Sequence, residues 1–193
     1  MTRSKKTCFR PFGLALAFGA ALALSGCQTL TADQCAVADW RELGAADGFA
    51  GRKQSYVDRH REACARHGVT VDITAWQSGW KQGIRRHCTP VNGLEHGLRG
   101  RSASGDCPAN LAGGYREAYD VGREAYRARS EVERLRDEID MAFVALSRTA
   151  PEHRASRRFA LVSKRSELFA AENRARRAER AADRYRASLR TAN

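Results

Sequence analysis

Cysteines are the residues of this chain best suited to chemistry, and four of them lie in its central part. A thiol can form a disulfide, bind a metal ion or act as a nucleophile, and the redox compartment largely decides which. Zinc is one alternative, because Cys64 and His67, together with the adjacent His87 and Cys88, supply four ligands. Adjacent ligands fit a tetrahedral site poorly, so we expect no metal and no other cofactor. The four cysteines are Cys35, Cys64, Cys88 and Cys107.

The N-terminal segment indicates an exported protein. A basic start precedes the uncharged apolar stretch from Gly13 to Leu24, whose 12 residues fall short of the roughly 20 that a membrane-spanning helix needs. This layout is typical of a secretory signal peptide. The stretch ends in the letters LSGC and there resembles the lipobox of bacterial lipoproteins. The resemblance implies that residues 1–26 are removed and that Cys27 carries the acyl chains. Gln28, where retained lipoproteins often have Asp, favours the outer membrane.

Export makes two disulfides the expected state of the four central cysteines, since the compartment is oxidising. Four cysteines allow three pairings. Cys35 lies 16 residues before a glycine turn at Gly51 and Cys64 lies 13 residues after it, so an antiparallel helix pair would place them at a similar level. Cys64 and Cys88 lie at unequal distances from the next glycine turn. We therefore predict the pairs Cys35–Cys64 and Cys88–Cys107.

Glycines recur at regular spacing in the same region and predict closely packed helices. Residues 44–52 and 93–101 both read GxxxGxxGR, and Gly79 and Gly83 form a third GxxxG. Glycines four residues apart share one face of a helix and let a second backbone approach closely. The spacing predicts a degenerate repeat of a short helical unit.

Enzymatic activity is the alternative that the histidines raise. A cell-wall-acting or thiol-dependent envelope enzyme would place its site in the glycine-rich domain around His60, His87 and Trp80. The chain has no GxGxxG or GxxxxGK[ST] phosphate loop and no GxSxG nucleophile elbow. We therefore expect a non-enzymatic protein without catalytic residues, and the envelope enzyme stays as the alternative.

A spaced set of cysteines, glycines and flanking residues extends through the central region, namely Cys35, Trp40, Gly44, Asp47, Gly48, Gly51, His60, Cys64, Gly68, Val69, Gly79, Gly83, Cys88, Thr89, Pro90, Asn92, Gly93, Gly97, Cys107 and Pro108. This pattern resembles a family of bacterial lipoproteins known only as domain-of-unknown-function (DUF) family 2799. The resemblance covers roughly residues 33–125. It implies a lipidated envelope protein with four paired cysteines, and it brings no catalytic residue and no known ligand.

After residue 114 glycine and proline nearly vanish, and small or apolar residues recur at alternating spacings of three and four. This period runs through residues 118–146 and again through residues 161–189, which is typical of a coiled-coil seam. Residues 115–193 are therefore predicted to form a long antiparallel helical hairpin with its turn near 148–153. In this hairpin, facing seam residues have position numbers that add up to 306 or 307.

The net charge of +12 is concentrated in the second arm of this hairpin. Residues 148–193 carry 13 basic and five acidic side chains, whereas residues 115–147 carry six and eight. A solvated helix face is the simplest interpretation of the surplus, and contact with anionic envelope material is the functional one. Export separates the chain from nucleic acid, so we expect no nucleic-acid partner. The basic ridge consists of Arg174, Arg176, Arg177, Arg180, Arg184, Arg186 and Arg190.

The predicted protein is all-α, with a signal peptide (1–26), a short tether (27–34), a disulfide-stapled glycine-rich domain (35–114) and the hairpin (115–193). Its expected place is the outer membrane, facing the periplasm, through the lipid on Cys27. The 42% hydrophobic and 29% charged residues suit a soluble domain. The expected partner is an envelope protein or an anionic envelope polymer. Apolar residues off the seam near the hairpin turn could dock the glycine-rich domain or a partner, namely Phe143, Phe159, Val162 and Phe169.

Overall fold

A computed structural model describes residues 29–103 and 106–191, and every regular element in these ranges is helical. The all-α prediction is confirmed. The predicted signal peptide and the lipidation site Cys27 lie outside the described residues. Two short 3₁₀ turns, Gln54–Tyr56 and Pro151–His153, precede α3 and α7. The helices are α1 Ala32–Ala36, α2 Trp40–Phe49, α3 Val57–Ala65, α4 Ile73–His87, α5 Pro90–Leu98, α6 Ala109–Ser147 and α7 Arg154–Thr191.

The helices of the glycine-rich region start at polar caps. Asp39, Asp72 and Thr89 each accept a hydrogen bond from the backbone N–H three residues later, at the starts of α2, α4 and α5. Such caps satisfy amides that have no partner inside the helix. No helix in the described ranges combines the length and the apolar character that crossing a bilayer requires.

Both predicted disulfides are present. Cys35–Cys64 joins α1 to α3 with Cα atoms 5.6 Å apart, and Cys88–Cys107 joins the end of α4 to the segment before α6 at 5.7 Å. All four sulfurs are therefore bonded to one another in pairs. The zinc alternative loses both of its thiolates, because Cys64 and Cys88 belong to different disulfides.

The glycine motifs let α2 and α4 pack backbone against backbone. A Cβ atom added at Gly44 or Gly48 of α2 would lie 2.0 Å or 2.3 Å from the carbonyl oxygen of a tryptophan on α4. In return, a Cβ added at Gly79 or Gly83 of α4 would lie 1.8 Å or 2.0 Å from a carbonyl oxygen on α2. The third GxxxG motif is therefore the packing partner of the first and not a further copy of it.

The second GxxxGxxGR motif packs in the same way on the start of α6. Added Cβ atoms at Gly93 and Gly97 of α5 would both lie 2.2 Å from carbonyl oxygens of α6, and one at Gly122 of α6 would lie 2.3 Å from that of Leu94. The sequence W-x-x-G-W-x-x-G of residues 76–83 corresponds to Y-x-x-A-Y-x-x-G of residues 115–122. The structural repeat is thus a helix pair, α2 with α4 and then α5 with α6.

The hairpin is formed by α6 and α7 and adopts the predicted register. Ala125 packs with Ala182 in one buried cluster, and Val132 packs with Ala175 in the next. Ion pairs flank this seam, including Arg136 with Glu172 at 2.7 Å and Lys164 with Glu138 at 2.8 Å. The division drawn between residues 114 and 115 falls inside α6, because the first part of this helix also completes the second helix pair.

The segment before α1 is packed against the folded domain. Leu30 contacts the core around Cys35, Cys64 and Trp76. Thr29 bonds through its hydroxyl to the His60 ring at 3.0 Å. Residues 29–34, which the sequence suggests as part of a tether, therefore lie on the first helix pair.

Candidate functional site

A buried polar network lies at the centre of the first helix pair, around Asp47. One carboxylate oxygen accepts hydrogen bonds from His60 Nε2 at 2.8 Å and from Trp76 Nε1 at 3.0 Å. The other accepts from the Arg52 guanidinium at 2.8 Å. Asp47 is 2% exposed and His60 1%, so the carboxylate depends on these three donors in place of water. A buried carboxylate satisfied in this way holds α2, α3 and α4 together.

The same network reaches the N-terminal segment. His60 bonds to Asp47 through Nε2 and to the Thr29 hydroxyl through Nδ1. Thr29 in turn donates to the backbone carbonyl of Arg59 at 3.3 Å. The order hydroxyl, imidazole, carboxylate resembles a hydrolase triad, yet the ring and the carboxylate are fully buried. Its evident role is to fix residue 29 to the domain.

The second helix pair has an equivalent but different polar cluster. His96 occupies the position of Asp47 in the repeat, and its Nδ1 lies 2.9 Å from the Tyr115 hydroxyl, as Asp47 meets Trp76. The Tyr119 hydroxyl donates to the Arg101 carbonyl at 2.9 Å, as Trp80 donates to that of Arg52 at 2.8 Å. These hydrogen-bonded residue pairs can be predicted from the sequence only after the two helix pairs have been aligned with each other.

Burial and nearby cations act on His96. Burial lowers the pKa of His96, the neighbouring His87 and the positive charges of Arg101 and Arg99 lower it further, and Glu95 opposes them. The ring centroid of His87 lies 4.9 Å from that of His96. The neighbourhood therefore favours the neutral form of His96.

The residues of the alternative enzyme site fall into separate places. His60 belongs to the Asp47 network, whereas His87 contacts His96 and Tyr115. Trp80 is 6% exposed, and its indole N–H donates a hydrogen bond to the Arg52 carbonyl. The structure does not bring His60, His87 and Trp80 to one surface cavity among those that the described residues line.

The arginines of the basic ridge lie on α7, on the side away from the seam. Six are exposed and cover most of the solvent-facing side, while the buried seam residues Ala171, Ala175 and Ala182 point the other way. Arg186 differs, since it is half-buried and pairs with Glu95 of α5 at 3.1 Å. This ion pair ties the hairpin to the second helix pair.

The far end of the hairpin presents apolar side chains beside cations. We call this surface the hairpin tip. Phe143 is 63% exposed and Phe159 78%, although aromatic side chains are usually buried. Residues 141–169 carry six basic side chains and two acidic ones, Glu152 and Glu167. The apolar members of the hairpin tip are Met141, Phe143, Val144, Phe159, Val162 and Phe169.

Comparison with known proteins places the two helix pairs in one family. A family model described as "Protein of unknown function (DUF2799)" matches residues 39–124. The match begins at the cap of α2 and ends just after Gly122, so it spans both glycine-packed pairs. No curated protein and no solved structure matches the chain. Residues 39–124 of this chain are therefore similar to the DUF2799 family of proteins of unknown function.

Proposed function

We propose that this protein is a non-enzymatic, lipid-anchored interaction protein of the bacterial envelope. It resides in the outer membrane, faces the periplasm, and binds an anionic lipid surface with its hairpin tip. The observation that carries the proposal is the hairpin tip itself, where exposed phenylalanines and several arginines occur in the same part of the two helices.

The anchor is supported by the lipobox and by the packing that follows it. Thr29 is fixed to His60, so only residue 28 separates an acylated Cys27 from the folded domain. More than one acyl chain gives stable attachment, at roughly 0.8 kcal/mol per buried CH₂. The first helix pair would then rest at the membrane surface.

The hairpin extends away from this base. Arg129 of α6 donates a hydrogen bond to the Leu98 carbonyl at the end of α5, at 2.8 Å. Beyond this contact, α6 continues to Ser147. At 1.5 Å per residue, the hairpin projects roughly 27 Å beyond that contact. Leu111 near the start of α6 packs on the first core, so base and tip are separated by about 50 Å along the helix axis.

Lipid is the partner that best fits the chemistry of the hairpin tip. Exposed phenylalanines insert at the boundary between head groups and acyl chains, and cations on the same surface attract anionic head groups. A cell-wall polymer would suit the arginines but leave the phenylalanines unused. The tip contains Arg148, Arg154, Arg157, Arg158, Lys164 and Arg165.

The anchor predicts a modified N-terminus. Mass spectrometry of the protein from membranes is expected to find a chain that begins at Cys27 with diacylglyceryl and acyl groups attached. Cys27→Ser should release the protein from the membrane pellet. Cys8→Ser is the matched control and should leave both processing and attachment unchanged. An unmodified Cys27 in the membrane fraction would contradict the anchor.

The hairpin tip predicts salt-sensitive binding to anionic vesicles by the mature chain carrying Cys27→Ser. Replacing Phe143 and Phe159 by Ser should weaken vesicle partitioning by at least about tenfold, since burial of each ring contributes roughly 1.5–3 kcal/mol. Co-sedimentation with vesicles that contain phosphatidylglycerol measures the change. Phe49→Ser, which removes a half-exposed ring far from the tip, should have no effect. Equal binding to neutral vesicles, or no loss in the double variant, would exclude this surface.

A further inference from the structure

A small basic pocket lies where the two helix pairs meet. It has a volume of about 280 Å³, and Gly51 and Lys53 of the first pair line it together with His87, His96 and Arg101. None of the roles described above uses this pocket. A single phosphate-sized group fits the volume.

One atom in the wall of the pocket lacks a partner. His87 is 4% exposed, and its Nε2 is buried without any hydrogen bond. The other ring nitrogen, Nδ1, lies 3.0 Å from the Phe49 carbonyl oxygen. A carbonyl only accepts, so Nδ1 carries a proton, and Nε2 of the neutral ring is a free acceptor. An unsatisfied buried polar atom in a native protein calls for an explanation, and a ligand is one.

Gly51 lets the His87 ring pack at this corner of the pocket. Its φ is +73°, and a Cβ added there would lie 2.2 Å from His87 Cε1 and 2.5 Å from Nε2. Any side chain at position 51 would therefore displace the ring. Because Nε2 is buried, a ligand in the pocket bonds to it after a small movement of the ring.

The charges around the pocket select an anion over a cation. Lys53 and Arg101 lie in its lining, Arg99 is close enough to lower the pKa of His96, and Glu95 is the acidic group that acts on that ring. The Tyr115 hydroxyl bonds to His96 on the side of the second pair. A ligand must therefore offer anionic oxygens to the cations and an O–H donor to His87 Nε2.

We propose that this pocket binds a hydrogen phosphate group, either free or as the monoanion of a phosphomonoester. Such a group carries both anionic oxygens and a hydroxyl, whereas sulfate at neutral pH has acceptors only. His87 would accept the phosphate O–H through Nε2, and Arg101 and Lys53 would donate to the remaining oxygens. Sulfate has no O–H group to donate to His87 Nε2.

Calorimetric titration of the mature chain carrying Cys27→Ser tests this site with inorganic phosphate, glycerol 3-phosphate and sulfate. At pH 7.5 phosphate should bind about tenfold more tightly than sulfate. At pH 6, where about half of a phosphomonoester keeps its proton, binding of glycerol 3-phosphate as tight as that of phosphate would assign an esterified group, and binding of phosphate alone a free one. Equal affinities for phosphate and sulfate at pH 7.5, no binding of either phosphate probe, or His87-dependent binding of zinc chloride without phosphate binding would overturn the proposal.

Two pairs of variants separate the site from general positive charge. His87→Asn keeps a donor for the Phe49 carbonyl but deletes the Nε2 position, so it should abolish the preference for phosphate. His87→Gln restores a polar atom at the Nε2 position and should regain part of it. Arg101→Gln should weaken phosphate binding about tenfold, whereas Arg99→Gln removes the same charge outside the lining and should change it little. If the His87 variants do not fold, the arginine pair and the anion comparison in the unsubstituted pocket still decide.

Discussion

Gly79→Ala is expected to destabilise the protein by about 3 kcal/mol or more, because no space exists for a methyl group between α2 and α4. The added Cβ would lie 1.8 Å from the carbonyl oxygen of Arg41 and 2.9 Å from the amide nitrogen of Ala45. These are backbone atoms, so no side chain can rotate away. The helices would have to separate along their whole contact. Urea unfolding followed by circular dichroism measures the loss.

Gly113→Ala is the matched control for this prediction. Gly113 also lies inside a helix, α6, but an added Cβ would meet nothing within 4 Å. The substitution should stabilise the protein by up to about 1 kcal/mol, as expected from helix propensity alone. Equal effects at positions 79 and 113 would show that the close approach of α2 and α4 does not contribute to stability.

Asp47→Asn should lower the free energy of unfolding by about 3 kcal/mol, since it removes a buried charge on which three donors converge. Asn offers one acceptor oxygen in place of two. Its NH₂ group would then face either the donors of His60 and Trp76 or the guanidinium of Arg52. The same change should loosen Thr29, because His60 links that residue to Asp47. Chemical unfolding and limited proteolysis of the N-terminal segment measure the two effects.

Asp58→Asn provides the comparison at an exposed position. Asp58 pairs with Arg61 at 3.0 Å, and both side chains are more than half exposed. Exposed pairs contribute about 0 to 1 kcal/mol, so stability should change by no more than that. A similar loss at positions 47 and 58 would contradict a special role for the buried network.

The hairpin could be predicted from the sequence because the pattern that specifies it is local and periodic. The 3.5-residue repeat specifies which side of each arm is buried, and the turn position then sets the register that brings Ala125 to Ala182 and Val132 to Ala175. The disulfide pairing was also predicted correctly, although Cys35 lies on the separate helix α1 and not on the helix α2 that leads to the Gly51 turn.

The glycine repeat was harder to interpret, because a GxxxG motif indicates a close contact without naming its partner. The second pair has Ala118 where the first has Gly79, and Tyr115 where the first has Trp76. These substitutions conceal the repeat of the α4 segment in α6. The two copies become visible as one arrangement only when α6 is seen to pack on α5 as α4 packs on α2.

The sequence alone therefore determined the helical class, the four bonded cysteines, the hairpin register and the location of the basic surplus, since these follow from periodicity, chain distances and composition. Only the tertiary structure decided that Asp47, His60 and Trp76 meet, and that His87, whose Nε2 has no partner, lines one pocket with Lys53 and Arg101. These groups lie 13 to 48 residues apart along the chain. Their meeting depends on how closely glycine lets the helices approach, which no local pattern specifies.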